Sequence, residues 1–136
     1  MKPELRPFIL AVVLSAMSLP ALAELVVVVN PKSTAGTMSQ EQISQFFLGI
    51  STTLRPVDQA DGSPIRAEFY KKVADKEPSQ VKAIWSKLVF TGKGKPPKEY
   101  SSSADVKKAI DADPNAIGYI EKSAVDSSVK VIFTVP

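Results

Sequence analysis

Leu25-Val-Val-Val-Val29 is an unbroken run of aliphatic residues that ends at Asn30-Pro31. Such a run is typical of a strand that is covered on both faces of a sheet, because a strand with one wet face alternates apolar and polar residues. The run is short and rich in valine, which favours a strand over a buried helix. The chain is therefore expected to form a sheet whose two faces are both covered by other parts of the protein.

Helix signals follow this strand along the chain. Ser39 and Gln42 have the spacing of a capping box, and Ile43, Phe46 and Phe47 then repeat at helical spacing before Gly49. Three further helix starts are predicted from a serine in the cap position, with Pro64 as the first helical residue in one of them: Ser63, Ser79 and Ser103.

Three more short segments read as strands, namely 54–57, 117–120 and 129–133. Pro56 restricts the first of them to a sheet edge or a strand start, because proline has no N–H to donate. Gly92 to Pro97 is a loop rich in lysine, glycine and proline. Strands that alternate with helices predict an α/β fold with a mixed, partly parallel sheet flanked by helices.

The N-terminus has the pattern of a cleavable secretion signal. Lys2 and Arg6 precede an apolar stretch that begins at Phe8, and the small-x-small sequence Ala21-Leu-Ala23 follows Pro20. The apolar stretch is shorter than the roughly 20 residues that a membrane span needs. We therefore predict a signal peptide over residues 1–23, cleavage after Ala23, a periplasmic location, and one α/β domain over residues 24–136.

Composition excludes several classes of function. The 136 residues include no His and no Cys, which removes the usual general base, the thiol nucleophile, disulfides and the common zinc ligands. A formal net charge of +3 is too small to indicate nucleic-acid binding. Ser79 with Lys82 and Ser127 with Lys130 have the spacing of a Ser-Lys pair, but the companion motifs are absent. No enzyme, catalytic residue, metal site or cofactor is predicted.

Several segments together resemble a known family. Val27-Val-Val-Asn-Pro31 with the stretch from Met38 to Gly49 is similar to the start of the second lobe of phosphate-type substrate-binding proteins of ABC transporters. Pro56-Val-Asp-Gln-Ala-Asp-Gly-Ser63 resembles their phosphate-gripping turn, and Asn115-Ala-Ile-Gly-Tyr-Ile120 a strand near the end of that lobe. The stretch from Trp85 to Pro97 resembles short members of the same group. The resemblance implies a single periplasmic-binding-protein-like lobe.

The resemblance also implies an anion site at the gripping turn, where the sequence departs from the family pattern. Gln59 stands where the family has Arg, while Pro64 and Ile65 stand where it has Gly and Thr. The donors that remain belong to a helix N-terminus, which favours anions through its backbone N–H groups and its dipole. The candidate anion-binding residues are Gln59, Gly62, Ser63, Ile65 and Arg66. Asp61 adds a repulsive charge, and Ser63-Pro64 also fits a plain helix start.

Two functions therefore stay open. The first is binding of phosphate or a related oxyanion for an ABC transporter or a sensor. The second is a single-lobe module that docks to an envelope protein, for which Tyr100, Tyr119 and the loop 92–97 are candidate contributors to an exposed apolar patch. The alternative for the tyrosines is a half-buried position with the hydroxyl in water. A homodimer that rebuilds a two-lobed cleft is a third possibility, intermediate between these two functions.

Overall fold

The computed structural model describes residues 24–136, and the predicted signal peptide lies outside them. The strands are β1 (Leu25–Val29), β2 (Arg55–Gln59), β3 (Lys98–Tyr100), β4 (Ala116–Glu121) and β5 (Lys130–Thr134). They form one five-stranded sheet in the order β3-β2-β4-β1-β5. Strand β2 runs parallel to β3 and β4, whereas β1 runs antiparallel to β4 and β5. The mixed sheet expected from the sequence is confirmed.

Strand β1 lies inside the sheet and is buried along its whole length. Its side chains alternate between two apolar clusters: Leu25, Val27 and Val29 enter one, and Val26 and Val28 enter the other. Both faces of the sheet are therefore covered, which explains why the run contains no polar residue.

The helices are α1 (Gln40–Phe47), α2 (Pro64–Ala74), α3 (Pro78–Phe90) and α4 (Ser103–Ala112). Helices α1, α2 and α3 bury their apolar residues in the larger cluster. Helix α4 packs on the other face through Val106 and Ile110. The protein thus has three layers with the sheet in the middle.

The helix starts agree with the sequence at α1 and α2 and differ by one or two residues elsewhere. Ser39 and Gln42 form the predicted capping box. Helix α3 is capped from Glu77 and not from Ser79, because Pro78 already occupies the first helical position. Helix α4 is capped by Ser102 and not by Ser103, since the Ser102 hydroxyl accepts from Asp105 N at 3.2 Å.

Strand β2 is an interior strand, so the sheet-edge alternative for Pro56 is wrong. The strand-start alternative is confirmed: Pro56 pairs with Ile117 on one side, and pairing with β3 on the other side begins only at Val57. Strand β3 was not among the predicted strands. Its three residues, Lys-Glu-Tyr, have no apolar pattern that separates them from the preceding loop.

Two buried hydrogen bonds fix helices against their neighbours. Trp85 Nε1 donates to Phe47 O at 2.9 Å and joins α3 to the end of α1. Asn30 Nδ2 donates to Ile110 O at 2.9 Å and to Asp111 O at 3.0 Å. Asn30 thus ends β1 and also satisfies carbonyls at the C-terminus of α4.

We predict that Gly118→Ala destabilises the protein. A Cβ at Gly118 would lie 2.9 Å from Val57 Cγ2 and 3.0 Å from Val106 Cγ1, so α4 would have to move away from the sheet. Overpacking of this kind costs about 1–3 kcal/mol, measurable by urea unfolding. Gly36→Ala is the control, because a Cβ there meets no atom within 4 Å. Equal stability of the two variants would contradict the close packing of α4 on β4.

Candidate functional site

The carboxylate of Asp58 lies in the interior, where β2 faces helices α1 to α3. Asp58 is only 2% exposed. Its Oδ1 accepts from the Tyr119 hydroxyl and from Gln59 N, the latter at 2.8 Å, and its Oδ2 accepts from the Tyr70 hydroxyl at 2.5 Å. Hydrogen bonds to an ionised acceptor are roughly twice as strong as neutral ones. Together these donors replace much of the water that the carboxylate loses on burial.

Arg66 supplies the positive charge next to this carboxylate. Its side chain is 8% exposed, and its Nε lies 4.0 Å from Asp58 Oδ2. Nη1 donates to Gln59 O at 3.2 Å and to the Glu99 carboxylate. Nε itself has no hydrogen-bond partner. The side chain is therefore held by β2 and β3 rather than presented at the start of α2.

The side chain of Gln59 is also hydrogen-bonded in this region. Its Nε2 donates to Tyr119 O at 3.2 Å and to Ser103 Oγ at 3.5 Å, and the residue is buried. The amide therefore crosslinks β2 to β4 and to the start of α4. We use the term buried polar network for the set Asp58, Gln59, Arg66, Tyr70, Glu99 and Tyr119.

The protonation states of this network follow from burial and from its neighbours. Burial raises the pKa of Asp58, and the hydrogen bonds from Tyr119 and Tyr70 and the charge of Arg66 lower it. Burial has the larger effect, so the pKa is raised overall. Burial and the adjacent Asp58 charge raise the pKa of both tyrosines, so both hydroxyls remain donors at neutral pH. Burial lowers the pKa of Arg66, but the charges of Asp58 and Glu99 outweigh it and raise the pKa overall.

The start of α2 holds the other candidate residues. Gly62 has φ +85°, which the turn requires and which glycine adopts without strain. Ser63 occupies the cap position, but its side chain makes no capping hydrogen bond. Within residues 24–136, no acceptor meets the N–H groups of Ile65 and Arg66. These groups are open donors at the positive end of a helix dipole.

Asp61, expected to repel an anion, has a partner at this end of the helix. Its Oδ2 lies 3.2 Å from Lys82 Nζ on α3. The hydrogen bond and the charge of Lys82 lower the pKa of Asp61. The repulsion of an incoming anion is therefore partly neutralised by a cation that the sequence did not assign to the site.

The five candidate residues thus divide into two groups. Gly62, Ser63 and Ile65 lie together at the open start of α2, with the backbone N–H of Arg66. The side chains of Gln59 and Arg66 belong to the buried polar network. Sequence reasoning also missed Asp58, Tyr70 and Glu99. Asp58 directly follows the predicted strand 54–57, and this was the one available signal, because an acidic side chain in a strand that continues into the interior needs a buried partner.

Tyr119 was expected on an exposed patch, and this prediction is wrong: its ring is fully buried and stacks on Phe69 with the centroids 3.8 Å apart. The reason is the pleat of β4, which directs Tyr119 and Ile117 into the larger cluster. Tyr100 is half-buried against the smaller cluster.

The described residues show no arrangement for metal or nucleophilic chemistry. No group of three possible metal ligands occurs among them. Lys82 pairs with Asp61, and Lys130 Nζ donates to Ser33 O at 2.7 Å, so neither lysine is turned toward its serine partner by hydrogen bonding. Over the same residues, no helix combines the length and apolarity needed to cross a membrane.

Several solved structures share this architecture. The chain aligns with an ABC-type phosphate transport receptor from Vibrio cholerae at 20% identity and a TM-score of 0.63. It aligns with a putative phosphate ABC transporter substrate-binding protein with bound phosphate from Clostridium perfringens at 20% identity and a TM-score of 0.66. The chain has the fold of a phosphate-type substrate-binding lobe. PstS from Borrelia burgdorferi aligns at 11% identity with a TM-score of 0.62.

The chain spans less than half the length of these structures. The alignments cover 81% of this chain but only 45%, 44% and 46% of the three proteins. No family model matches the sequence, and no curated protein matches it significantly. The likeness therefore establishes the fold of the lobe.

We predict that Asp58→Asn costs about 3 kcal/mol of unfolding free energy, because it removes the charge that faces Arg66 and turns an amide N–H₂ toward a tyrosine hydroxyl. Asp61→Asn is the matched control: the same change occurs three residues away at an exposed side chain. Urea unfolding at neutral pH measures both. Equal losses in the two variants would contradict the buried polar network.

The cost of Asp58→Asn should also depend on pH. The raised pKa means that the fold disfavours the charged carboxylate relative to the unfolded chain, whose ordinary value is 3.8. The stabilisation from this titration is complete below that value and is lost as pH rises through the folded pKa. The gap between wild type and Asp58→Asn should therefore widen as the pH falls from 7 to about 4. A gap that narrows would contradict the direction of the shift.

Proposed function

We propose that the protein is an exported oxyanion-binding lobe of the phosphate type, which serves phosphate ABC transport or sensing in the periplasm. The observation that supports it most is the shared fold with phosphate-binding proteins, one of them solved with phosphate bound. The open start of α2 lies at the turn that resembles the family's phosphate-gripping turn. Export is supported by the charged, apolar and small-residue order of the N-terminus.

In this proposal the anion contacts backbone more than side chains. The N–H groups of Ile65 and Arg66 and the hydroxyl of Ser63 all lie at the start of α2, next to the turn at Gly62. A helix N-terminus with open donors favours an anion. The lobe lacks a free arginine at this point, because the guanidinium of Arg66 pairs with Asp58 and Glu99. We therefore expect modest affinity unless a second lobe, from a partner or a second copy, closes over the anion.

Thermal unfolding of the purified protein with and without millimolar phosphate tests the proposal, with sulfate as the control anion. Ligand at 100 times its Kd adds about 2.7 kcal/mol, which raises the Tm of a domain of this size by roughly 10 °C. A phosphate-specific rise supports the proposal. No shift at concentrations up to tens of millimolar would contradict anion binding by the lobe alone.

Variants at the turn before α2 test whether phosphate binds there. Ser63→Ala should weaken phosphate binding by about 10-fold or more, because it removes one hydrogen bond to a charged acceptor. Asp61→Asn should strengthen it, because it removes a negative charge and frees Lys82. Ser79→Ala in the first turn of α3 is the control and should leave the affinity unchanged. Calorimetric titration measures all three, and an unaltered affinity in Ser63→Ala together with Asp61→Asn would place the anion elsewhere.

The second candidate function is a protein-interaction module in the cell envelope that no longer binds phosphate. The commitment of Gln59 and Arg66 to the interior favours it, together with the exposed apolar end of α3, where Phe90 is 92% exposed. Sedimentation analysis of the wild type and of Phe90→Ser tests for a homodimer. Association that Phe90→Ser abolishes, without any effect of phosphate on Tm, would favour this candidate over the first.

A further inference from the structure

A groove runs between α3, the loop 92–97 and β3, and it encloses about 710 Å³. This volume falls within the roughly 300–1,000 Å³ that is usual for small-molecule sites. We call it the α3 groove. Its walls are mainly apolar: Trp85, Val89, Phe90, Pro96 and Pro97.

The floor of the α3 groove reaches the buried polar network. Arg66, Asp58 and Glu99 line it, and Lys82 lies at its side. The Arg66 side chain is more than nine-tenths buried, and its Nε has no hydrogen-bond partner. Nε lies beside Asp58 and is shielded from water, so the part of the guanidinium that a ligand in the groove can reach is the Nη1 end, where the half-exposed Glu99 carboxylate binds.

Another carboxylate can replace Glu99 as the partner of the Arg66 guanidinium. Its carboxylate bonds to Arg66 Nη1, but its side chain is 45% exposed and comes from the edge strand β3. Asp58, by contrast, is fixed by two tyrosine hydroxyls and a backbone N–H. An exposed carboxylate on a buried arginine can rotate into water when another carboxylate takes its position.

We propose that the α3 groove binds a small organic carboxylate with an apolar, preferably aromatic, body. The carboxylate takes the place of Glu99 on the Arg66 guanidinium, whose planar fork matches that geometry. The body packs against Trp85, Phe90 and the proline pair. This site goes beyond the proposed function, since it uses the side chain of Arg66 and an apolar wall instead of backbone N–H groups.

The chemistry of the walls separates this ligand from inorganic anions and from cations. Phosphate or sulfate would leave the apolar wall in contact with water and gain nothing from it. A cation would meet the charges of Arg66 and Lys82, while the two carboxylates that line the groove are already paired with Arg66. Only an anion with an apolar body uses both surfaces.

Trp85 is the single tryptophan of the chain and lines the α3 groove, so its fluorescence reports on binding there. We would titrate the purified protein with 3-phenylpropionate and, as the neutral control, with its amide. The acid should give a saturable change with a Kd of roughly millimolar, as is usual for a ligand of this size. The amide should bind at least about 10-fold more weakly, because it lacks the charge for Arg66. Equal binding of acid and amide would overturn the proposal.

Two variants test the exchange with Glu99. Glu99→Ala should tighten the binding of 3-phenylpropionate by about 5-fold or more, because it removes the competing carboxylate. Glu41→Ala, at an exposed position on α1, is the control. Ser86→Phe, which places a ring in the groove from an exposed position on α3, should abolish binding. Weaker binding in Glu99→Ala, or undiminished binding in Ser86→Phe, would overturn the proposal.

Amide chemical shifts with phosphate present separate this site from the anion site. The acid should shift signals of α3 and β3, and saturating phosphate should leave its Kd unchanged. Competition by phosphate, or shifts confined to residues 62–66, would overturn a separate groove site. If self-association of the protein covers the groove and the acid changes no chemical shift, the proposal is overturned as well.

Discussion

The carboxylate of Asp58 is the constraint on which one side of this lobe depends. A buried charge must be surrounded by donors, and here those donors come from different parts of the chain: Tyr70 on α2, Tyr119 on β4 and the backbone of β2 itself. Arg66 then brings in β3 through Glu99. The short edge strand β3, with three residues and little apolar surface, is held by its parallel pairing with β2, and the ion pair adds a side-chain contact to this pairing.

This constraint also decides which groups are free for a ligand. The side chains of Gln59 and Arg66 form hydrogen bonds within the buried polar network. Without it they would be the natural donors to an anion near the turn. What remains at the start of α2 is backbone, one hydroxyl and the Asp61–Lys82 pair. The same guanidinium forms the floor of the α3 groove. The same arginine thus lies between the proposed anion site at the start of α2 and the proposed carboxylate site in the α3 groove.

Much of the fold could be predicted because it depends on local patterns. The valine run of β1, the capping box at Ser39 and the proline at the first position of α2 each have a physical meaning within a few residues. The errors in cap position, at Ser79 and Ser103, arose because adjacent residues compete for the same role. Strand β3 carries no pattern of its own, and it exists because β2 offers it an edge.

The candidate site was harder to predict, since its key contacts join residues far apart in the sequence. Asp58 and Tyr119 are 61 residues apart, and Arg66 and Glu99 are 33 apart. The resemblance to phosphate-type proteins pointed to the turn before α2 as the candidate anion site, and that assignment stays a prediction. It gave no means of seeing that Gln59 and Arg66 bond inward, because that depends on Tyr119, Glu99 and Ser103.

A double-mutant cycle between Asp58→Asn and Tyr119→Phe tests the central claim most directly. If the Tyr119 hydroxyl is held by the Asp58 carboxylate, the unfolding free energies should show a coupling of about 1.5–3 kcal/mol, as expected for a hydrogen bond to a charged group. Losses that add within about 0.5 kcal/mol would show that the two groups act independently, and they would contradict the network.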